Sequence, residues 1–182
     1  MTLCGGGRLS DYRAATNINE PIARFFFIQL IGALKKLHEH KIAHMDLQLD
    51  NVLLDNDGNI RICDFGNALS FKGMENDLVK AGTVAGHLSH MPPEMVSFQE
   101  DFSAVKADMW CCGLALYELL TGKSAFSIRQ NDCSVVSKII DCKFEPLGLG
   151  FSKEARDLCN QLLNYDAKER PTCQEVLNHP WL

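Results

Sequence analysis

Three polar residues, Asp46, Asn51 and Asp64, stand at a spacing that could do chemistry on phosphate. The first two lie in the run His44-Met45-Asp46-Leu47-Gln48-Leu49-Asp50-Asn51, and Asp64-Phe65-Gly66 begins thirteen residues past the asparagine. One carboxylate can orient an attacking hydroxyl. An amide oxygen and a second carboxylate can hold Mg²⁺, a hard cation that prefers oxygen ligands. A lone Asp on a loop is usually a turn residue, but three such groups around a hairpin form a far more specific pattern. Residues 52–54 and 60–63 are short apolar runs flanking Asp55-Asn56-Asp57-Gly58-Asn59, whose turn chemistry predicts that hairpin. Its strands return the chain so that Asn51 and Asp64 stand side by side. The Asp-rich turn does not fit a calcium loop, which needs Gly at its sixth position and Glu at its twelfth.

The elements that position these residues are mostly helical. Gly5-Gly6-Gly7 reads as a flexible connection, because each Gly costs about 1 kcal/mol in a helix interior. A short helix is expected at 9–15. Asn19-Glu20-Pro21 has the chemistry of a helix start: a capping side chain, a carboxylate at the positive end and a proline in the first turn. Ile22, Phe26, Leu30, Ala33 and Leu37 then follow helical spacing up to His38. The stretch 66–94 is loop-like. Further helices are expected at 108–121, which is strongly apolar, and at 152–164 and 173–177. Pro171 suits a loop or first turn, and His179-Pro180 stops the last helix. No internal repeat or low-complexity linker interrupts the chain, so one continuous domain over 1–182 is expected.

Composition narrows the partners. A formal net charge of −5 argues against nucleic acid or an anionic membrane. No apolar run reaches the length of a membrane span, and no signal peptide is read at the start. Eight cysteines lack metal-ligand spacing, and the adjacent pair Cys111-Cys112 fits no zinc pattern. Free thiols in the cytoplasm or nucleus are the expectation.

The 44–51 loop and Asp64-Phe65-Gly66 resemble the catalytic loop and metal loop of the eukaryotic serine/threonine protein kinases, and residues 1–12 resemble the hinge and following helix of their calmodulin-dependent and AMP-activated branch. The resemblance runs through almost the whole chain. Asp108-Met109-Trp110-Cys111-Cys112-Gly113, with Tyr117-Glu118-Leu119-Leu120-Thr121-Gly122, resembles the buried central helix of the large lobe. In that family the Asp at the position of Asp108 bonds the catalytic-loop backbone. Pro92-Pro93-Glu94 resembles the end of the activation segment, which would span 64–94. Its Glu94 is expected to form a buried ion pair with Arg170 of Lys168-Glu169-Arg170-Pro171-Thr172. Leu177-Asn178-His179-Pro180-Trp181 resembles the usual end of the lobe. By the same resemblance residues 1–4 are a hinge remnant, with Met1 at the gatekeeper position and Thr2 to Cys4 beside the nucleotide. Leu53 would pack under the adenine, and Cys63 would line the pocket floor. The implied fold is a mainly α, α+β kinase-like C-terminal lobe: a helical bundle with small β-hairpins at the nucleotide face.

The resemblance implies transfer of phosphate from ATP to protein serine or threonine, with Mg²⁺ as cofactor. Asp46 would be the base or orienter, and Asn51 and Asp64 the metal ligands. His44, Phe65, Gly66, Glu94, Asp108 and Arg170 would hold the site together. Several positions depart from the pattern. Neither a Gly-rich phosphate loop nor a strand lysine is read in the chain, so the small N-terminal lobe is expected to be absent. Gln48 replaces a lysine placed near the transferred phosphate. Met45 replaces the arginine that pairs with a phosphorylated activation loop, which puts control through Thr83 in doubt. Arg8 stands where a ribose-contacting acid often sits. His87 and His90 occupy Thr and Tyr positions, either as plain polar loop residues or as altered substrate contacts. Two readings follow: a kinase seen as a fragment or completed by another polypeptide, and a pseudokinase-like module that docks proteins without catalysis. Either way ATP binding by this chain alone is expected to be weak. Met1, Leu3, Leu53, Cys63 and Phe65 are expected to form an apolar face that self-associates or takes a complementary lobe.

Overall fold

Asn19 sets the start of the longest helix, its side chain accepting the Ile22 backbone N–H at 3.1 Å. In the computed structural model, which describes residues 4–74, 77–80, 88–97, 99–126 and 134–182, this helix is α2, Glu20–Glu39. It follows α1, Leu9–Ala15. The buried stripe of α2 is Ala23, Phe26, Phe27, Leu30, Ile31 and Leu34. That is rotated from the expected stripe, since Ile22, Ala33 and Leu37 lie at its half-buried edges. Of the expected set Phe26 and Leu30 are buried, while Ile22 and Leu37 pack against the core from its edge.

The chain then runs through β1 (Ile42–Ala43), a 3-10 turn (Leu49–Asn51), β2 (Val52–Leu54), β3 (Ile60–Ile62), β4 (Leu69–Ser70) and β5 (Leu78–Lys80). A second 3-10 turn (Leu88–His90), α3 (Pro93–Val96) and β6 (Asp101–Ser103) lead into α4, Ala104–Thr121. The chain ends with α5 (Ser134–Ile140), α6 (Lys153–Leu162), a 3-10 turn (Ala167–Glu169) and α7 (Cys173–Leu177). Helix α4 starts four residues before the expected Asp108, because Ser103 caps it by accepting the Lys106 N–H at 3.1 Å. It ends on Gly122 at φ 71°, a left-handed stop that favours glycine. Buried residues occur all round α4, which makes it the centre of the main core. Helices α2 and α6 pack against it, and α7 packs on α2.

Three two-stranded ladders replace the expected set of hairpins. Among the described residues β2–β3 is the ladder joined by a short turn, pairing Val52 with Ile62 and Leu54 with Ile60. The β1–β4 and β5–β6 ladders pair stretches far apart in sequence. The 5–7 stretch is not a free connection either. Gly6 N–H donates to Leu54 O (3.0 Å), and Leu54 N–H donates to Gly7 O (2.8 Å). A Cβ on Gly6 would stand 2.8 Å from that of Leu54, so only glycine lets the two backbones approach this closely. At the far end of the molecule Glu20 ties three elements together. It accepts from the Ser152 N–H (3.0 Å), from the Ser152 hydroxyl, and from the Trp181 indole N–H (2.8 Å).

Candidate active site

Asp108, fully buried near the start of α4, fixes the 44–51 loop. Its two oxygens accept the backbone N–H groups of His44 and Met45, each at 2.8 Å, and His38 Nε2 from α2 lies 2.8 Å from Oδ2. Met45 has φ 65°, a conformation costly for a residue with a side chain. It persists because the carboxylate fixes the backbone on both sides of the His44–Met45 peptide. The His44 ring links this loop to the next. Its Nδ1 faces the Asp46 N–H (3.4 Å), so that nitrogen accepts, and Nε2–H donates to Cys63 O at 3.0 Å. The same ring meets Phe65 edge-on, centroids 5.1 Å apart.

The β2–β3 ladder places the metal-ligand candidates. Asn51 O accepts the Cys63 N–H at 2.9 Å, extending the pairing one step past the strands. Asn51 Nδ2 donates to Asp46 O (2.8 Å), with Asp46 Oδ2 at 3.4 Å. Its amide nitrogen is therefore engaged, and its Oδ1 is the atom left for a cation. Asp64, at φ 60°, accepts the Gly66 N–H on Oδ1 (3.2 Å), leaving Oδ2 without a recorded bond. Among the described residues no group of three or more His, Cys, Asp or Glu could hold a metal ion. The free oxygens of Asn51 and Asp64 suit Mg²⁺, which takes one or two protein carboxylates and completes its shell with water and substrate phosphates. The residues present fit the ion.

Asp46 is held on one side only. Its Oδ2 faces the side-chain amides of Asn51 and Asn67, each at 3.4 Å. Its Oδ1 is buried with no hydrogen-bond partner among the described residues. An orphaned buried acceptor is costly unless a donor arrives. Sequence reasoning gave neither Asn67 nor His38 a place in the site. Asn67 directly follows Gly66, and His38 lies in the last turn of α2; only the fold reveals their partners.

An open cleft of about 650 Å³ leads from this centre, lined in part by Arg8, Gln48, Asp50, Asn51, Asp64 and Glu118. Arg8 pairs with Asp50 at 3.7 Å, and the Ser10 hydroxyl donates to the same Asp50 oxygen at 2.7 Å. Burial raises the Glu118 carboxyl, and the nearby Asp50 charge raises it further. Burial, then the Asp64 charge, pushes up the Cys63 thiol, with Arg8 opposing. Cys4, Leu53 and Cys63 are only partly buried, and Leu53 bridges to Arg8. Phe65 is 47% exposed. Met1, Thr2, Leu3, Thr83 and His87 lie outside the described residues.

Glu94 and Arg170 meet in the core as a bidentate pair, both contacts 2.7 Å. The remaining guanidinium donors go to the carbonyls of Asn164 (2.8 Å), Lys106 (3.0 Å) and Tyr165 (3.3 Å), and the group lies over the Trp110 ring. All donors of the fork are used, the condition under which a buried pair holds. The pair fixes α3, which ends the 64–94 stretch, to the segment before α7.

The Asp46 carboxylate, with one unpaired buried oxygen among the described residues, stands beside the Asn51 amide. The family model of the protein kinase domain matches residues 1–182, and the chain belongs to that family, with serine/threonine kinases as its relatives. The SNF-related serine/threonine-protein kinase of Homo sapiens is 31% identical, aligning with 100% of this chain and 23% of that protein. Serine/threonine-protein kinase par-4 of Caenorhabditis elegans is 34% identical over 96% of this chain and 28% of that protein. CBL-interacting serine/threonine-protein kinase 5 of Arabidopsis thaliana is 34% identical over 100% of this chain and 40% of that protein. The chain thus spans less than half the length of each. No described helix is long and apolar enough to cross a membrane.

Proposed function

We propose that this chain carries the catalytic half of a serine/threonine protein kinase site and transfers phosphate only when a second wall covers the nucleotide. The observation that carries this is the partnerless, buried Oδ1 of Asp46. A substrate hydroxyl donating to that oxygen would be oriented for attack, and its proton would have a base within reach. Asn51 Oδ1 and Asp64 would hold Mg²⁺, which neutralises charge on the phosphates when bound. Asp108 and His44 keep these groups at fixed separation, and positioning is most of what phosphoryl transfer asks of a protein.

None of the 182 residues supplies a Gly-rich loop and a lysine for the phosphates. A single cationic contact of that kind can be worth roughly 10³–10⁵ in rate. Tight sites bury roughly 70–90% of a ligand's surface, whereas here Leu53 and Cys63 would contact the base from one side. MgATP binding by this chain alone is therefore weak in this reading. Gln48 and Met45 favour a second reading, a pseudokinase-like module that binds a protein partner or its own copy across the nucleotide face. Folding of the 5–7 stretch onto Leu54 covers part of that face, leaving Phe65 as its main exposed apolar group. The two readings separate on Asp46→Asn in the presence of a complementary small lobe. The catalytic reading expects transfer to be abolished and nucleotide binding kept. No transfer by the unmutated complex, despite bound nucleotide, would favour the second reading.

A further inference from the structure

We propose that Asp77 is a built-in anchor that docks the 77–80 segment onto the start of α4, so that this segment takes its place beside Met45 without a phosphoryl group. The idea goes beyond the catalytic reading and does not depend on it. Asp77 Oδ2 accepts the Ser103 hydroxyl and the Val105 N–H (3.1 Å), while Ser103 Oγ accepts the Lys106 N–H (3.1 Å). Two of the N–H groups that a helix start leaves unpaired are thereby satisfied, with a carboxylate at the positive end of an 18-residue helix. Asp77 takes φ 53° to reach them, a strained conformation that lasts only where its contacts fix it.

The next residues are held in turn. Leu78, Val79 and Lys80 pair with Ser103, Phe102 and Asp101. Val79 enters a small apolar cluster with Met45, Phe71, Phe102, Ala104 and Ala107. Met45 is the residue that replaces a phosphate-pairing arginine, and here it is 6% exposed among carbon atoms. A thioether packed in this way gives a phosphate nothing to pair with. The carboxylate of Asp77 and the apolar cluster together do the holding. Asp77 is thus a positioning residue for the 77–80 segment.

Amide hydrogen exchange on the 182-residue chain tests this without reference to catalysis. In Asp77→Ala, the amides of 78–80 and 101–103 should exchange faster by about tenfold or more, while α2 and α6 keep their protection. Asp77→Asn keeps an acceptor oxygen but no charge, and should loosen the same amides to a lesser degree. Thr83→Ala and phosphatase treatment should change nothing there. Wild-type exchange in Asp77→Ala, or equal loosening by Thr83→Ala or phosphatase, would overturn the proposal. Should Asp77→Ala lose protection throughout the molecule, Asp77→Asn decides, and wild-type exchange in that variant overturns it.

Discussion

At Arg170 every guanidinium donor has a partner, and the planar fork matches Glu94 with both contacts at 2.7 Å. Lysine has the charge but not the fork, so Arg170→Lys leaves buried acceptors unpaired. Loss of such a pair typically costs about 3–5 kcal/mol. Urea denaturation at neutral pH should report a loss of this size, and under about 1 kcal/mol would mean the pair behaves like a surface contact. Two glutamates make opposite predictions. Burial would raise Glu20, but the Ser152 and Trp181 hydrogen bonds and the Arg24 charge outweigh it and hold the carboxyl below its ordinary 4.5. A depressed folded value gives stability that is present above pH 4.5 and lost as pH falls through the folded value. Glu118 is raised, chiefly by burial, so its contribution is present below its unfolded value and lost as pH rises through the folded one. At pH 7, Glu20→Gln should therefore lower stability by roughly 1–3 kcal/mol, and Glu118→Gln should raise the melting temperature. Melting curves at pH 7 and pH 4 check both. A Glu118→Gln variant that melts lower at pH 7 would contradict the assignment.

Between elements, α4 and α6 approach closely at Gly113. A Cβ on Gly113 would stand 2.8 Å from Leu163 Cδ2 and 2.9 Å from Leu162 Cβ. Alanine gains about 1 kcal/mol over glycine in a helix, but overpacking costs typically 1–3 kcal/mol. Gly113→Ala should thus be neutral to destabilising by up to about 2 kcal/mol by denaturant titration, despite its better helix propensity. A clear gain in stability would show that α6 can retreat. Elements whose signals are local could be read from the sequence. The β2–β3 hairpin announced itself by turn chemistry and α2 by Asn19 and Pro21, whereas the reciprocal capping box of Thr172 and Glu175 at α7 is a local signal that went unused. Ladders β1–β4 and β5–β6 gave no such signal. Their strands are two or three residues long, and their partners lie more than twenty residues away. Long-range pairing of that kind is decided by packing around Phe71, Val79 and Phe102, not by local pattern. The start of α4 was hidden for a related reason. Ser103 reads as a cap only once Asp77 is seen to support it. At the candidate site, the closeness of Asn51 and Asp64 could be expected from sequence because the β2–β3 hairpin lies between them. The supporting contacts from His38 and Asn67 could not, because tertiary packing alone brings them near.

Across the whole molecule, Asn51 and Asp64 line an open cleft. Phe65, 47% exposed, faces outward beside His44, and the 5–7 stretch closes only part of the surface over β2. Sedimentation over a range of concentrations should show association that weakens in Phe65→Ser. A monomer at all concentrations, with no binding of a hydrophobic dye, would mean this face is already closed. The central claim is that the chain holds a phosphoryl-transfer site with one wall. Calorimetric titration of the 182-residue chain with ATP and Mg²⁺ tests it most directly. The account predicts no saturable binding at micromolar nucleotide. A micromolar dissociation constant that disappears in Asp64→Asn would contradict it, showing that these residues alone close around the nucleotide.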